Sequence, residues 1–213
     1  MILPLIYSPD CTPEMDWLIH NHGQREALSS GEQRSPSKPY RLYRFLSDLE
    51  DILETTQDNQ NRLQLICPLV RCLLSSSSWL QWEFLPPDPE LGWSALSLYD
   101  EPGFPLTIQT VAWTPGIISP IHNHGTWGVV ALINGQEKNT FWRQSDAATH
   151  PEQIESVETY VLSAGEILCL MPDAIHQVEP LGEDIIISFN LYGETDFERR
   201  LEFDPIAHTA RTF

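Results

Sequence analysis

The chain has 213 residues, enough for one domain with elaborations or for two small domains. Thirty acidic residues against twelve basic ones give a net charge of −18, a field that repels nucleic-acid phosphates and anionic lipid headgroups. Neither class of partner is therefore expected. Hydrophobic residues make up 41% of the chain and aromatic residues 10%, which indicates a folded globule rather than a disordered segment.

Nothing in the sequence predicts export or membrane insertion. The apolar start of the chain contains Pro4 and has no basic leader, so it is not typical of a secretory signal. No later run approaches the about eighteen apolar residues that a spanning helix needs. The four cysteines form no Cys-x-x-Cys pair, which favours a reduced, cytoplasmic protein.

The first ninety residues favour helices. Thr12-Pro13-Glu14 before an apolar triplet predicts a short helix, and the Ser-, Gly- and Pro-rich stretch 25–38 predicts a loop. From Tyr40, apolar residues recur at spacings of three and four, which predicts a helix with one buried face. A second helix is predicted over 59–74, kinked or split at Pro68.

After Pro86-Pro87-Asp88-Pro89 the pattern changes to short β-rich runs separated by turn residues. Asn134-Gly135 between two such runs predicts a hairpin. This punctuation is typical of an all-β sandwich or barrel, so we expect a helical elaboration in residues 1–90 and a β unit in residues 91–213. The predicted strands cover 106–113, 127–133, 140–144, 156–162, 166–170 and 185–192.

Three of the seven histidines stand in two short motifs. His122 and His124 are one residue apart, so on an extended strand both imidazoles point to the same face. Gly116 precedes this pair and Gly135 follows it, while His176 follows a second string that contains Gly165 and Pro172.

These two motifs resemble those of the cupin superfamily, whose double-stranded β-helix forms a jelly-roll barrel around a metal. The resemblance implies a mainly β fold preceded by helices, with His122, His124 and His176 as metal ligands. Gly128 stands where most cupins have a glutamate ligand. The implied site is three neutral imidazoles with open positions, which is typical of a catalytic centre.

Among cupins, the loss of that glutamate resembles the cysteine dioxygenase family of thiol dioxygenases, which bind Fe²⁺ with three histidines. Gly128 is similar to the bacterial members that oxidise 3-mercaptopropionate. The segment from Ser188 to Gly193 resembles the family's Ser-x-His-x-Tyr-Gly strand. The resemblance implies that Tyr192 is an outer-sphere acid or hydrogen-bond donor supported by Ser188. Asn190 replaces the family histidine and cannot take up a proton near neutral pH.

Two further residues are candidates for binding the substrate. Arg199 to Pro205 resembles a string of the mercaptopropionate enzymes in which the second arginine holds the substrate carboxylate, a role that falls to Arg200. The alternative is that Arg200 is a surface partner of Glu198 or Glu202. Trp127, three residues beyond His124, is a candidate for lining the pocket or for the core. Glu101 stands where cysteine dioxygenase has its own arginine, so L-cysteine is not the expected substrate.

The resemblance implies an oxidoreductase, a dioxygenase that converts a small thiol carboxylate to a sulfinate with O₂, so its expected partners are a small-molecule thiol and O₂. Two alternatives stay open. One is another metal-dependent cupin enzyme, an isomerase or a C–C-cleaving dioxygenase using Zn²⁺, Mn²⁺ or Ni²⁺. The other is a cupin that binds metal or ligand without turnover, for which Asn190 is the motivating feature.

A second His-Asn-His string, His20 to His22, repeats residues 122–124 letter for letter. It lacks the glycines that frame the first string and has no second motif. We expect it to be a solvated helix end without a metal role.

Overall fold

The computed structural model describes residues 15–28, 39–145, 150 and 152–212. Within these ranges the chain forms thirteen strands, two α-helices and one short 3-10 helix. The expectation of a mainly β chain with helices in its N-terminal part is confirmed. The helices are α1 (Leu42–Thr55), α2 (Asn59–Ser76) and the 3-10 helix Ser78–Gln81. The strands are β1 (Asp16–Ile19), β2 (Arg25–Leu28), β3 (Trp93–Asp100), β4 (Thr107–Trp113), β5 (Ile121–His122), β6 (Gly128–Asn134), β7 (Gln136–Gln144), β8 (Ile154–Ser163), β9 (Ile167–Leu170), β10 (Ile175–Leu181), β11 (Ile186–Tyr192), β12 (Leu201–Asp204) and β13 (Thr209–Thr212).

The strands form two sheets that face each other. Sheet A has the order β2-β1-β9-β6-β11-β4-β3, and sheet B has the order β13-β12-β5-β10-β7-β8. The β1–β9 pair is parallel and the other pairs are antiparallel. In the part of the chain that is described, no hydrogen-bonded ladder joins sheet A to sheet B. The jelly-roll arrangement expected from the sequence is thus an open pair of sheets.

Sheet A buries apolar side chains on both faces because it lies between sheet B and the helices. Side chains alternate along β6, so Val130 and Leu132 pack toward sheet B while Val129 and Ala131 pack toward the helices. The core between the sheets also contains Phe141 of β7. The helices cover the outer face of sheet A with a row of buried side chains: Phe45, Leu49, Leu63, Ile66, Val70 and Leu73.

A buried ion pair joins α2 to sheet A. Arg71 of α2 pairs with Asp16 of β1, and its Nη1 donates to the backbone carbonyl of Gly165 at 3.1 Å. Helix α2 continues through Pro68, so the predicted helix is confirmed and is not split there. Pro68 is exposed, on the side of α2 away from the core. No helix among the described residues is long and apolar enough to cross a membrane.

Two sequence predictions near the N-terminus are wrong. Residues 16–19, the apolar end of the predicted short helix, form β1, and residues 25–28 of the predicted loop form β2. Pairing with β9 and alternation of side chains between the two faces of sheet A override the local helix signals in this segment. Residues 12–14 and 29–38 lie outside the described residues. The division of the chain at residue 90 stays a prediction.

The predicted hairpin at Asn134-Gly135 is also wrong. β6, which ends at Asn134, belongs to sheet A, whereas β7, which begins at Gln136, belongs to sheet B. Gly135 has a φ of 85°, and a Cβ there would meet Ile186 Cγ2 at 2.5 Å. Glycine is needed because the chain turns between sheets at a positive φ, close to the neighbouring strand.

We expect Gly135→Ala to lower the free energy of unfolding by about 3 kcal/mol, measured by urea denaturation. A positive φ costs an alanine about 1–2 kcal/mol, and overpacking against Ile186 adds about 1–3 kcal/mol. Gly116→Ala is the matched control, because Gly116 has a φ of 87° but open space around its missing Cβ. Equal losses in the two variants would contradict the role of the contact with Ile186.

Candidate metal centre

Strand pairing brings the three predicted histidines together. His122 of β5 and His176 of β10 are direct partners in an antiparallel pair, so their side chains lie on the same face. His124 lies two residues further along the chain. The ligand atoms of the three imidazoles all lie within 4.8 Å of one another. This group could bind a metal ion.

Hydrogen bonds orient two of the imidazoles. His122 Nδ1 lies 2.9 Å from the carbonyl oxygen of Pro120, and His176 Nδ1 lies 3.1 Å from Oδ1 of Asn139. Because both partners only accept, each Nδ1 carries the proton and each Nε2 keeps a lone pair for a metal. His124 Nε2 and His176 Nε2 are 3.1 Å apart, which fits two ligands of one ion at bonds of about 2.0–2.1 Å.

The environment keeps the imidazoles neutral. Burial lowers the pKa of His122 below its usual 6.5, and burial together with the other two histidines lowers the pKa of His124 well below that value. Burial, followed by the charge of His122, does the same for His176. Neutral imidazole is the form that coordinates metals, so the site is in its ligating form at neutral pH.

The ring of Tyr192 occupies the space where a side chain at position 128 would lie. Gly128 of β6 and Tyr192 of β11 are direct cross-strand partners. A Cβ on Gly128 would lie 2.8 Å from Tyr192 Cδ1. The same ring stacks on His124, with centroids 4.6 Å apart and an interplanar angle of 29°. Position 128 therefore cannot supply a fourth ligand while Tyr192 keeps this place.

Tyr192 ends a row of three polar side chains on the inner face of β11. Its hydroxyl donates to Asn190 Oδ1 at 3.1 Å, and Asn190 Nδ2 donates to Ser188 Oγ at 2.9 Å. Asn190 and Ser188 are buried. Burial raises the pKa of Tyr192, so its phenol stays protonated at neutral pH. The structure thus brings together the three residues that the sequence singled out on this strand.

Arg200 lies near the triad. Its positive charge adds to the effect of burial in lowering the pKa values of His122 and His124, and it opposes the rise that burial causes in the pKa of Tyr192. Gly125, next to His124, makes this approach possible, because a Cβ there would lie 2.9 Å from the backbone nitrogen of Arg200. Glu202, one of the two acids considered as its surface partners, accepts hydrogen bonds from Arg211 at 3.1 Å. Carboxylate binding by Arg200 stays a prediction.

Trp127 lies on the other side of sheet A. It is buried in the cluster that packs against the helices, and its indole contacts Gly193. No described contact joins it to the three histidines, and its role in lining a pocket stays a prediction.

The second His-Asn-His string is a turn between β1 and β2 rather than the expected helix end. His20 Nε2 lies 2.8 Å from Glu26 Oε2, and Asn21 Oδ1 accepts the backbone N–H of Asp173 at 3.1 Å. Gly23 has a φ of 75°, which closes the turn. Among the described residues, the His122 group is the cluster that could hold a metal, and His20 and His22 are not part of it.

Sequence reasoning missed two buried residues behind His176. Asn139 Nδ2 donates to Glu137 Oε1 at 2.9 Å, and both side chains lie on the inner face of β7. Burial raises the pKa of Glu137 to about 7, although the hydrogen bond from Asn139 lowers it. The available signal was their spacing of two and four from Phe141, which puts all three on one face of a strand.

No protein-family model matches the chain. Among solved structures, it is similar to an oxalate oxidase in complex with glycolate, at 15% identity and a TM-score of 0.41 over 52% of this chain and 55% of that one. It is similar to the Schizosaccharomyces pombe Cnp3 cupin domain, at 12% identity and a TM-score of 0.38 over 50% of this chain and 63% of that one. An RmlC-like cupin from Methanocaldococcus jannaschii matches at 15% identity and a TM-score of 0.39, over 53% and 87% of the two chains. The chain thus spans less than two thirds of the first two proteins.

Replacing a histidine of the triad should abolish tight metal binding. We expect His176→Ala and His122→Ala to lose high-affinity Zn²⁺ binding in a competition titration, because each removes one of three ligands. His22→Ala is the control, since it removes a histidine from the other His-Asn-His string. Unchanged affinity in His176→Ala, or an equal loss in His22→Ala, would contradict the assignment.

Glu137 should make the stability of the protein depend on pH. The pKa of Glu137 in the folded protein, about 7, lies above the ordinary value of 4.5. The protonated carboxyl group therefore adds to the free energy of unfolding in full below pH 4.5, and this addition is lost as the pH rises through 7. Glu137→Gln carries no such proton. We expect the unfolding free energy of the native protein, minus that of the variant, to fall by about 3 kcal/mol between acid and alkaline pH. Urea denaturation across this range checks it, and a difference that does not change with pH would contradict it.

Proposed function

We propose that the chain is a metal-dependent cupin, a thiol dioxygenase that uses Fe²⁺ and O₂ to oxidise a small thiol carboxylate to a sulfinate. One observation carries the proposal: the Tyr192 ring stacks on His124 and fills the space over Gly128. The protein then offers three imidazoles and no fourth ligand from that position, which leaves open positions for substrate.

The overall reaction needs no co-reactant beyond dioxygen. The thiol R–SH and O₂ give the sulfinic acid R–SO₂H, with both oxygen atoms bonded to the sulfur. Sulfur is oxidised by four electrons and dioxygen is reduced by the same four. Iron bound by His122, His124 and His176 would supply the redox chemistry for this exchange.

Tyr192 would act on the substrate through its phenol oxygen. Its hydroxyl donates to Asn190 Oδ1, and an amide oxygen can only accept. Asn190 therefore holds the hydroxyl hydrogen and leaves the oxygen lone pairs free to accept a hydrogen bond from the substrate. The backbone carbonyl of Ser188, which accepts from Asn190 Nδ2 at 3.2 Å and cannot donate, fixes the orientation of that amide.

Arg200 would select an anionic substrate. The net charge of −18 repels small anions as well as large ones, so a thiol carboxylate needs a local cation. The guanidinium suits a carboxylate because it donates two parallel hydrogen bonds. Its charge already acts on His122, His124 and Tyr192, which is where such a substrate would bind.

The second candidate function is metal or ligand binding without turnover. Asn190 favours it, because a relay that passes through an amide carries no proton away from Tyr192. A related candidate is another metal-dependent cupin enzyme that uses Zn²⁺, Mn²⁺ or Ni²⁺, since imidazole ligands suit all of these ions.

Oxygen uptake by iron-loaded protein separates these functions. We expect 3-mercaptopropionate to be consumed with one O₂ per sulfinate formed, and cysteamine, which lacks the carboxylate, to react less efficiently. Arg200→Gln should raise the KM for 3-mercaptopropionate by about ten- to a hundred-fold, the worth of a charged hydrogen bond, and leave the KM for cysteamine unchanged. Metal-loaded protein that consumes no oxygen with 3-mercaptopropionate, cysteine or cysteamine would favour binding without turnover.

A further inference from the structure

The inner face of β7 carries a polar row that ends at the metal-binding group. In the β7–β10 pair, Phe141 lies opposite His176 and Asn139 lies opposite Val178. Asn139 is thus the diagonal neighbour of His176, and it reaches His176 Nδ1 at 3.1 Å. Glu137 continues the row, two residues further from His176.

Asn139 connects Glu137 to His176 through an amide whose two ends differ. Its Nδ2 donates to Glu137 Oε1 at 2.9 Å, while its Oδ1 faces His176 Nδ1. Above its pKa of about 7 the Glu137 carboxyl group is ionised and can only accept, so it requires the NH₂ end of the amide. The oxygen end must then face the imidazole, and the imidazole must carry its proton on Nδ1.

We propose that Glu137 is a positioning residue of the metal centre, which acts through Asn139 to hold His176 in the Nδ1-protonated tautomer with Nε2 free for a metal. The tautomer is a property of the protein without metal. Its consequence for metal binding rests on the proposed function of the triad.

Glu137 is enclosed in the core. It is 3% exposed, and Asn139 is fully buried. The adjacent Lys138 points to the outer face of the sheet, where it pairs with Glu179 of β10. A buried carboxyl group costs free energy that an apolar side chain would avoid. Hydrogen-bond partners in the outer shell of a metal site, however, commonly raise the metal affinity by about ten- to a hundred-fold.

The tautomer can be measured directly in metal-free protein. Long-range ¹⁵N–¹H correlation spectra distinguish Nδ1–H from Nε2–H imidazoles, and the spectrum of His176→Ala identifies the signals of His176. Above pH 7, where Glu137 is ionised, we expect the native protein to show the Nδ1–H form alone. In Glu137→Gln the amide at position 137 can present either end to Asn139, so both tautomers should appear and the Zn²⁺ affinity should fall about tenfold or more.

A double variant separates positioning from a general structural role. In Glu137→Gln with Asn139→Asp, the new carboxylate accepts the His176 Nδ1–H without a relay, so the single tautomer and the Zn²⁺ affinity should both return. Glu179→Gln, on the outer face, is the control and should change neither. Circular dichroism checks that each variant is folded.

Three results would overturn the proposal. The first is a Glu137→Gln variant that keeps one tautomer and binds Zn²⁺ within twofold of the native affinity. The second is a double variant that folds but restores neither property. The third is a control variant that shows the same changes as Glu137→Gln. Because the tautomer is read without iron, thiol or oxygen, a failure of thiol oxidation leaves this result standing, and the reverse also holds.

Discussion

The pairing of His122 with His176 across β5 and β10 is the contact on which the candidate site depends. β5 has only two residues, too few to be stable alone, and it is held between β10 and β12. Asn123, between the two histidines of the first motif, accepts the backbone N–H of Leu201 at 2.7 Å. The segment that follows Tyr192 therefore holds the ligand-bearing strand in register. The site is complete only when these distant parts of the chain are paired.

Two polar rows, one from each sheet, end at the three imidazoles. On sheet A, Ser188 and Asn190 lead to Tyr192, which stacks on His124. On sheet B, Glu137 leads through Asn139 to His176. The middle residue of each row is an asparagine. One neighbour fixes which end of its amide donates, and the other end of the amide then accepts from the next residue of the row. A buried row of this kind specifies proton positions as well as side-chain positions, because each group has few alternative partners in a low-dielectric interior.

The sequence predicts those parts of the structure in which local pattern and tertiary contacts agree. Helix α1 and strands β4 and β11 follow their hydrophobic periods, and the His-Asn-His and Ser-x-Asn-x-Tyr motifs identify residues that the fold brings together. It fails for β1, β2, β5, β12 and β13, which have two to four residues and depend on pairing rather than pattern, and it also misses the longer strands β3 and β10. The hairpin prediction at Gly135 was wrong because a residue with a positive φ can connect strands of two different sheets as well as the strands of a hairpin. Glu137 and Asn139 were not predicted as site residues because β7 has polar residues on both faces.

Electrostatics explains how an acidic protein could still take a small anion. The field from a net charge of −18 acts at long range and is screened over about 8–10 Å, whereas the guanidinium of Arg200 acts at close range in a buried site. Its charge adds to the lowering of the pKa values of His122 and His124 by burial, and it opposes the rise that burial causes in the pKa of Tyr192. A carboxylate bound to Arg200 would offset that charge, so the Tyr192 phenol would hold its proton more firmly with substrate present than without it. A polyanion would make the same contact with Arg200, but its other charges would remain in the repulsive field of the net charge of −18. On the proposed function, Arg200 would therefore favour one small carboxylate over an extended acidic partner.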